Sequence, residues 1–263
     1  MSFCCIFTQE NQLLLKEIII ALRSYIHAHR LIRQNGSWKW IWIPGLIYAL
    51  FFSACLYIFY TTSGQFSDYI IKHTYIKEWL QSTNQFLSFL FVTSAVMIHL
   101  LVLIFYFSLL RMLYQLVCAP LISYLSRRIH AHATGAPMFV SARMLMQDSG
   151  RFWMVVLKNA VWQTVYFIVL IVISLIPVVG WVTPLAGLLA ECYYSGYPRM
   201  DLACKRRGTG MSKAAHFISL HKGLAIGNGM VFYLIIIVPI AGWIVAPVYS
   251  VVAATLTAGY LDD

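Results

Sequence analysis

Apolar residues fill four long stretches of this chain, and the interruptions in those stretches are as informative as the stretches themselves. Residues 40–60 and 86–110 are predominantly apolar and hold no Asp, Glu, Lys or Arg. At a rise of about 1.5 Å per residue, each is long enough as a helix to cross a hydrocarbon core of about 30 Å. Two later stretches are cut near their middle by one repeated motif. Ile176-Pro177-Val178-Val179-Gly180-Trp181 is followed by Pro184, and Val238-Pro239-Ile240-Ala241-Gly242-Trp243 by Pro247. Each stretch closes on Gly-Tyr, at Gly196-Tyr197 and Gly259-Tyr260. Proline removes an amide donor and clashes with the preceding turn, while glycine adopts backbone angles that other residues resist. Unpaired backbone in lipid costs several kcal/mol per group, so such breaks survive only where protein or water covers them. The repeat predicts paired helical hairpins over residues 161–197 and 226–260.

Helical arm lengths refine this picture. Residues 161–176 and 182–194 give arms of about 24 and 20 Å, and residues 226–238 and 244–260 give arms of about 20 and 25 Å. All four fall short of a full crossing, which predicts hairpins that penetrate half-way, with full crossings in thinned lipid as the alternative. Upstream, residues 14–31 place Leu14, Leu15, Ile18, Ile19, Leu22, Tyr25 and Ile26 on one helical face, with Lys16, Glu17, Arg23, Ser24 and His27 mostly on the other. Such a pattern predicts a helix lying in the membrane interface within residues 1–37, ended by Asn35-Gly36-Ser37. The second span continues its helical pattern past Arg111 and through Ala119-Pro120, predicting one long helix over residues 86–130, kinked at the proline and ended by Gly135-Ala136-Pro137. The expected fold class is an all-α integral membrane protein. It forms a single domain over residues 1–263, with two long transmembrane helices, two half-penetrating helical hairpins and an N-terminal interfacial helix.

Composition agrees with membrane insertion and charge orients it. The chain is 60% hydrophobic and 11% charged, with a mean hydropathy of +0.75, outside the range of soluble domains. The net charge of +10 first points to nucleic acid, but its distribution argues for topology instead. Lys16, Arg23, Arg30, Arg33 and Lys39 precede span one; Arg111, Arg127, Arg128, Arg143, Arg151 and Lys158 follow span two; Arg199, Lys205, Arg206, Arg207, Lys213 and Lys222 lie between the hairpins. Cytoplasmic segments are enriched in Lys and Arg, so these three regions read as cytoplasmic and only the loop over residues 61–85 as external. No basic leader or small-residue cleavage site marks a secretory signal. The six cysteines, Cys4, Cys5, Cys55, Cys118, Cys192 and Cys204, show no metal or disulfide spacing and read as packing residues.

Few residues carry enzymatic chemistry. Glu191 is the one carboxylate inside an apolar stretch, where the cost of burial marks a candidate functional group, although Tyr193, Tyr194 and Tyr197 beside it also suit an interfacial belt. The two His-Ala-His copies, His27/His29 and His130/His132, have a spacing that sends the rings to different helix faces. No metal site and no cofactor follows from the sequence. Lys205-Arg206-Arg207 reads as topological charge, with lipid headgroups as a further use. Gly223 and Gly227 predict close helix packing. The sharpest candidate is an anion site beyond Pro120. A helix restarting there would present free amides around Ile122, Ser123 and Tyr124, with Arg127 and Arg128 two turns on and Lys39 at the same membrane face.

From Gly196-Tyr197-Pro198 and Arg206-Arg207-Gly208 through His221-Lys222-Gly223, Gly227-Asn228-Gly229, Val238-Pro239, Ala246-Pro247 and Ala253-Ala254-Thr255, the chain resembles the CysZ-like sulfate permeases. These share a domain with the eukaryotic etoposide-induced membrane proteins. Cys118-Ala119-Pro120 and the first hairpin break match as well. The resemblance implies the same fold, an oligomeric assembly and sulfate uptake across a bacterial inner membrane. It also implies an anion site built from a Gly-Leu-Leu-Ala-Glu segment after the Ala-Pro kink and an Arg pair before span one. Here Ser123 stands for the glycine, Arg127 for the glutamate and Trp38-Lys39 for the arginine pair, while a literal Gly187-Leu188-Leu189-Ala190-Glu191 falls in the first hairpin. The expectation is a permease for a small inorganic anion, sulfate by resemblance, with Lys39, Ser123, Tyr124, Arg127 and Arg128 as its anion-binding residues. Its partners would be membrane lipid, the anion and further copies of the chain, with both termini cytoplasmic and no nucleic acid. The alternative is a non-transporting membrane scaffold of the same family.

Overall fold

The helices run well beyond the apolar stretches that predict them. In the computed structural model, residues 2–34, 38–73, 85–135, 137–176, 179–238 and 241–258 are described. They form α1 (Ser2–Gln34), α2 (Trp38–His73), α3 (Gln85–Thr134), α4 (Ala142–Ser174), α5 (Thr183–Arg206), α6 (Met211–Leu220), α7 (Lys222–Ile236) and α8 (Ala241–Thr257), with a 3-10 turn at Val179–Val182 before α5. No strand occurs among the described residues.

Among the described residues, three helices are long and apolar enough to cross a membrane. These are Gly45–Thr62, Val92–Thr134 and Ala142–Ser174, with mean hydropathies of 1.6, 2.2 and 1.8. The protein is therefore an all-helical, multi-pass membrane protein. Its lipid-facing character is plain on α4, where Leu157, Val161, Trp162, Val165, Ile168, Val169 and Val172 stand exposed. A pair bent by 82°, Met211–Leu220 with Lys222–Ile236, adds one further broken apolar element.

Three expectations need correction. Helix α2 continues to His73, so helix occupies half of what reads as an external loop; residues 74–84 lie outside the described residues. The first hairpin's leading arm begins at Ala142 rather than 161 and its trailing arm ends at Arg206. Polar positions such as Asp148 and Arg151 stay helical because they pair across α4 and α5 rather than facing water. Short arms are thus found at α7 and α8, of 15 and 17 residues, and not at α4 or α5, of 33 and 24.

The third correction concerns Pro120. Helix α3 runs through it without a break, so no helix restarts there and no free amide terminus is presented. Proline leaves the carbonyl four residues earlier without its amide partner. That carbonyl, on Leu116, accepts a 2.8 Å hydrogen bond from the Trp153 indole N–H of α4. A neighbouring helix repairs the gap.

The repeated hairpin break is a packing device. Gly180 donates to the Ile176 carbonyl at 2.9 Å and Gly242 to the Val238 carbonyl at 3.0 Å. A Cβ on Gly180 would meet the Ser174 carbonyl oxygen at 2.6 Å, and one on Gly242 would strike that of Ile235. Both turns fold back onto the end of the preceding helix, where only glycine fits. Pro177, Val178, Pro239 and Ile240 lie outside the described residues.

Helix α7 is the hub. A Cβ on Gly227 would press on Ile18 and Ala21 of α1, and one on Gly229 would strike the Cys192 carbonyl of α5. The small-residue spacing in this segment therefore serves close packing. Glu17 of α1 accepts the Gly223 amide at 2.9 Å and meets His221 Nδ1 at 2.6 Å, satisfying the start of α7. Tyr25, grouped by its periodicity with the apolar face of α1, turns inward instead and donates to the Asn228 carbonyl at 2.8 Å. Leu15, Ile19, Leu22 and Ile26 remain exposed on that face.

Candidate anion site and the buried charge network

Helices α3, α4 and α5 bring polar residues together at two levels. The buried positions of α3 follow helical spacing through Ser108, Arg111, Gln115, Cys118, Ile122 and Ser126. On α5, Glu191, Ser195 and Arg199 are buried four residues apart. Arg111, Gln163 and Glu191 meet at the inner level; Arg127, Asp148 and Arg206 meet at the outer one. Along each helix the two levels are fifteen or sixteen residues apart, about 23 Å.

The inner level is fully enclosed. Arg111 is 5% and Glu191 2% exposed, and their charged groups lie 3.3 Å apart. Arg111 Nη2 donates to Gln163 Oε1 at 3.1 Å and to Ser108 Oγ at 3.2 Å, while Nη1 donates to the Glu191 carbonyl at 3.3 Å. The Glu191 carboxylate also accepts from Gln163 Nε2 and from the Tyr233 hydroxyl of α7. Removing ions from water is expensive, and this density of hydrogen bonds offsets the cost. Arg199 lies on the same face of α5, with Nη1 3.1 Å from Ser195 Oγ and its guanidinium 4.1 Å above the Phe232 ring. It makes no ion pair among the described residues. Among the described residues, the inner level with Arg199 thus holds two guanidiniums and one carboxylate.

At the outer level one carboxylate serves three cations. Asp148, 1% exposed, holds Arg127 Nε, Lys205 Nζ and Arg206 Nη1, each at 2.6 Å. Arg206 also donates from Nε to Ser126 Oγ at 3.2 Å and from Nη2 to the Ser123 carbonyl at 3.5 Å. Burial pulls the Arg206 guanidinium below its ordinary value, against the raising influence of Asp148. One helical turn away, Arg151 grips Asp201 through two hydrogen bonds of 2.9 and 2.8 Å and ties α4 to α5. Beside the cluster opens a cavity of about 230 Å³ lined by Arg127, His130, Asp148, Lys205 and Arg206, with Pro137, Met138 and Phe139 as its apolar wall. It carries two more positive than negative charges and has room for an oxyanion of sulfate size with water.

The site residues expected from sequence divide accordingly. Arg127 lines the cavity, and Ser123 meets Arg206 behind it. Tyr124 and Arg128 are half-buried on flanking faces and do not line it; the Lys39 side chain lies outside the described residues. The cations that join Arg127 come from Lys205 and Arg206, which sequence reading assigned to topology. The available signal was helical spacing: Arg206 sits one face below Glu191, Ser195 and Arg199, and Gln163 is a polar residue inside an apolar run. The His-Ala-His copies assemble no metal cluster among the described residues; His29 Nδ1 instead meets the Tyr249 hydroxyl at 2.7 Å.

Comparison with curated proteins gave no match. A family model described as sulfate transporter CysZ/etoposide-induced protein 2.4 matches residues 24–247, which include every helix that builds the two levels. The chain belongs to the sulfate transporter CysZ/etoposide-induced protein 2.4 family.

Proposed function

We propose that the protein is a permease for a small inorganic anion, sulfate by family, with the basic cavity at the outer level as its anion-binding site. The observation that carries this reading is the excess of cations at both levels of one three-helix unit. An anion captured by Arg127, Lys205 and Arg206 would also feel the positive field of Arg111 and Arg199 deeper in the same three-helix unit. The chemistry is binding and release through charge-assisted hydrogen bonds, with no covalent step. The outer level would face the cytoplasm, where the basic segments belong.

One observation favours a second reading, a non-transporting scaffold: Arg127, Lys205 and Arg206 all contact Asp148 and thereby clamp α3, α4 and α5 together. Labelled sulfate flux into proteoliposomes separates the two. The permease reading expects flux above that of empty liposomes and its loss in Arg127→Gln/Arg206→Gln. A folded, inserted protein without flux would support the scaffold. Labelling of Ser63→Cys and Ser212→Cys from opposite sides is the expected topology; labelling of both from one side would overturn it.

A further inference from the structure

One turn from the inner level toward the outer one, α3, α4 and α5 line a narrow niche with about 10 Å³ of free space, room for one particle the size of water. Three polar groups there have no hydrogen-bond partner among the described residues: Arg111 Nε, Gln115 Nε2 and Asn159 Nδ2. Their side chains are 5%, 3% and 8% exposed. Every one is an N–H donor. Buried donors left without acceptors are rare in folded proteins, and each calls for a reason.

We propose that this niche is a binding site for a single halide-sized anion. A ligand that meets these three donors must be an acceptor, and the charge of the surroundings selects an anion over water. Among the described residues Arg111 pairs with one carboxylate, Glu191, and Arg199 pairs with none, so this buried region carries an excess positive charge that a monovalent anion cancels. Phe105, Leu109, Met112, Val156, Ala160 and Pro198 form the apolar part of the wall, with Ser108, Gln163, Thr164 and Tyr194 beside them. The free volume excludes a tetrahedral oxyanion, so the niche is distinct from the outer cavity and its assignment is independent of sulfate transport. A halide here would neutralise the buried arginines and act as a structural or regulatory ion.

The test uses the full-length protein crystallised with bromide as the only halide. An anomalous peak within hydrogen-bond distance of Arg111 Nε, Gln115 Nε2 and Asn159 Nδ2 is the expected result. A second arm follows thermal stability in gluconate buffer during bromide titration. The half-saturating bromide concentration should rise at least about tenfold in Gln115→Leu/Asn159→Leu, which removes two of the three donors while keeping their volume. An ordered water or an empty niche in the bromide crystals would overturn the proposal, as would unchanged bromide dependence in the double variant. If that variant fails to fold, the wild-type crystals alone decide. A bromide peak with no sulfate flux would leave this site standing and remove the permease reading.

Discussion

The inner and outer charge clusters are built by the same three helices, yet they are organised in opposite ways. At the inner level, Arg111, Gln163, Glu191 and Tyr233 bond one another in an enclosed network. At the outer level, three cations lean on one carboxylate beside a cavity of about 230 Å³. A network closed on itself holds helices at a fixed register. A cluster with more positive than negative charge and open volume beside it can also hold a ligand. Both levels hold more cations than carboxylates, so on the proposed reading access, rather than residue type or charge balance, separates the level that can take a large oxyanion from the one that cannot.

The sharpest way to break this contrast is to remove each carboxylate in turn. Glu191→Leu leaves Arg111 and Arg199 buried without any counter-ion, and should cost about 3–5 kcal/mol, read as a lowered unfolding midpoint in detergent. Asp148→Asn should cost less, about 1–3 kcal/mol, because Arg127 and Lys205 are 24% and 21% exposed and reach water. Equal losses in the two variants would contradict the assignment of the inner level as the tighter structural element.

Smaller changes sharpen the comparison. Ser195→Ala removes the hydroxyl that meets Arg199 and should destabilise by about 1.5–3 kcal/mol; no loss would mean that the Phe232 ring alone suffices. Trp153→Phe strips the indole N–H from the Leu116 carbonyl between the levels and should cost about 0.5–1.5 kcal/mol. Gly150→Ala is the control beside Asp148. A Cβ there meets nothing within 4 Å, so helix propensity should leave the variant about 0.5–1 kcal/mol more stable.

Much of this was legible in the chain. Hydropathy and the repeated proline-glycine break identified an all-helical membrane fold, and the small-residue spacing at Gly223 and Gly227 announced the close packing of α7. Glu191 stood out as a carboxylate in an apolar run. What could not be read was partnership. Arg206 looked like topological charge because its partner Asp148 lies fifty-eight residues upstream, and only the alignment of α3, α4 and α5 brings them together. The restart at Pro120 failed for a similar reason: a tryptophan from another helix supplies the missing hydrogen bond, which local sequence does not reveal.

The central claim is that the cations around Asp148 form an anion site. Equilibrium binding of labelled sulfate to the purified protein and to Asp148→Asn tests it most directly. If the site is correctly assigned, removing the competing carboxylate frees three cations for the ligand, and the Asp148→Asn variant binds sulfate at least about tenfold more tightly than the wild type. Sulfate binding that is absent from both, or unchanged or weakened in the folded variant, would contradict it.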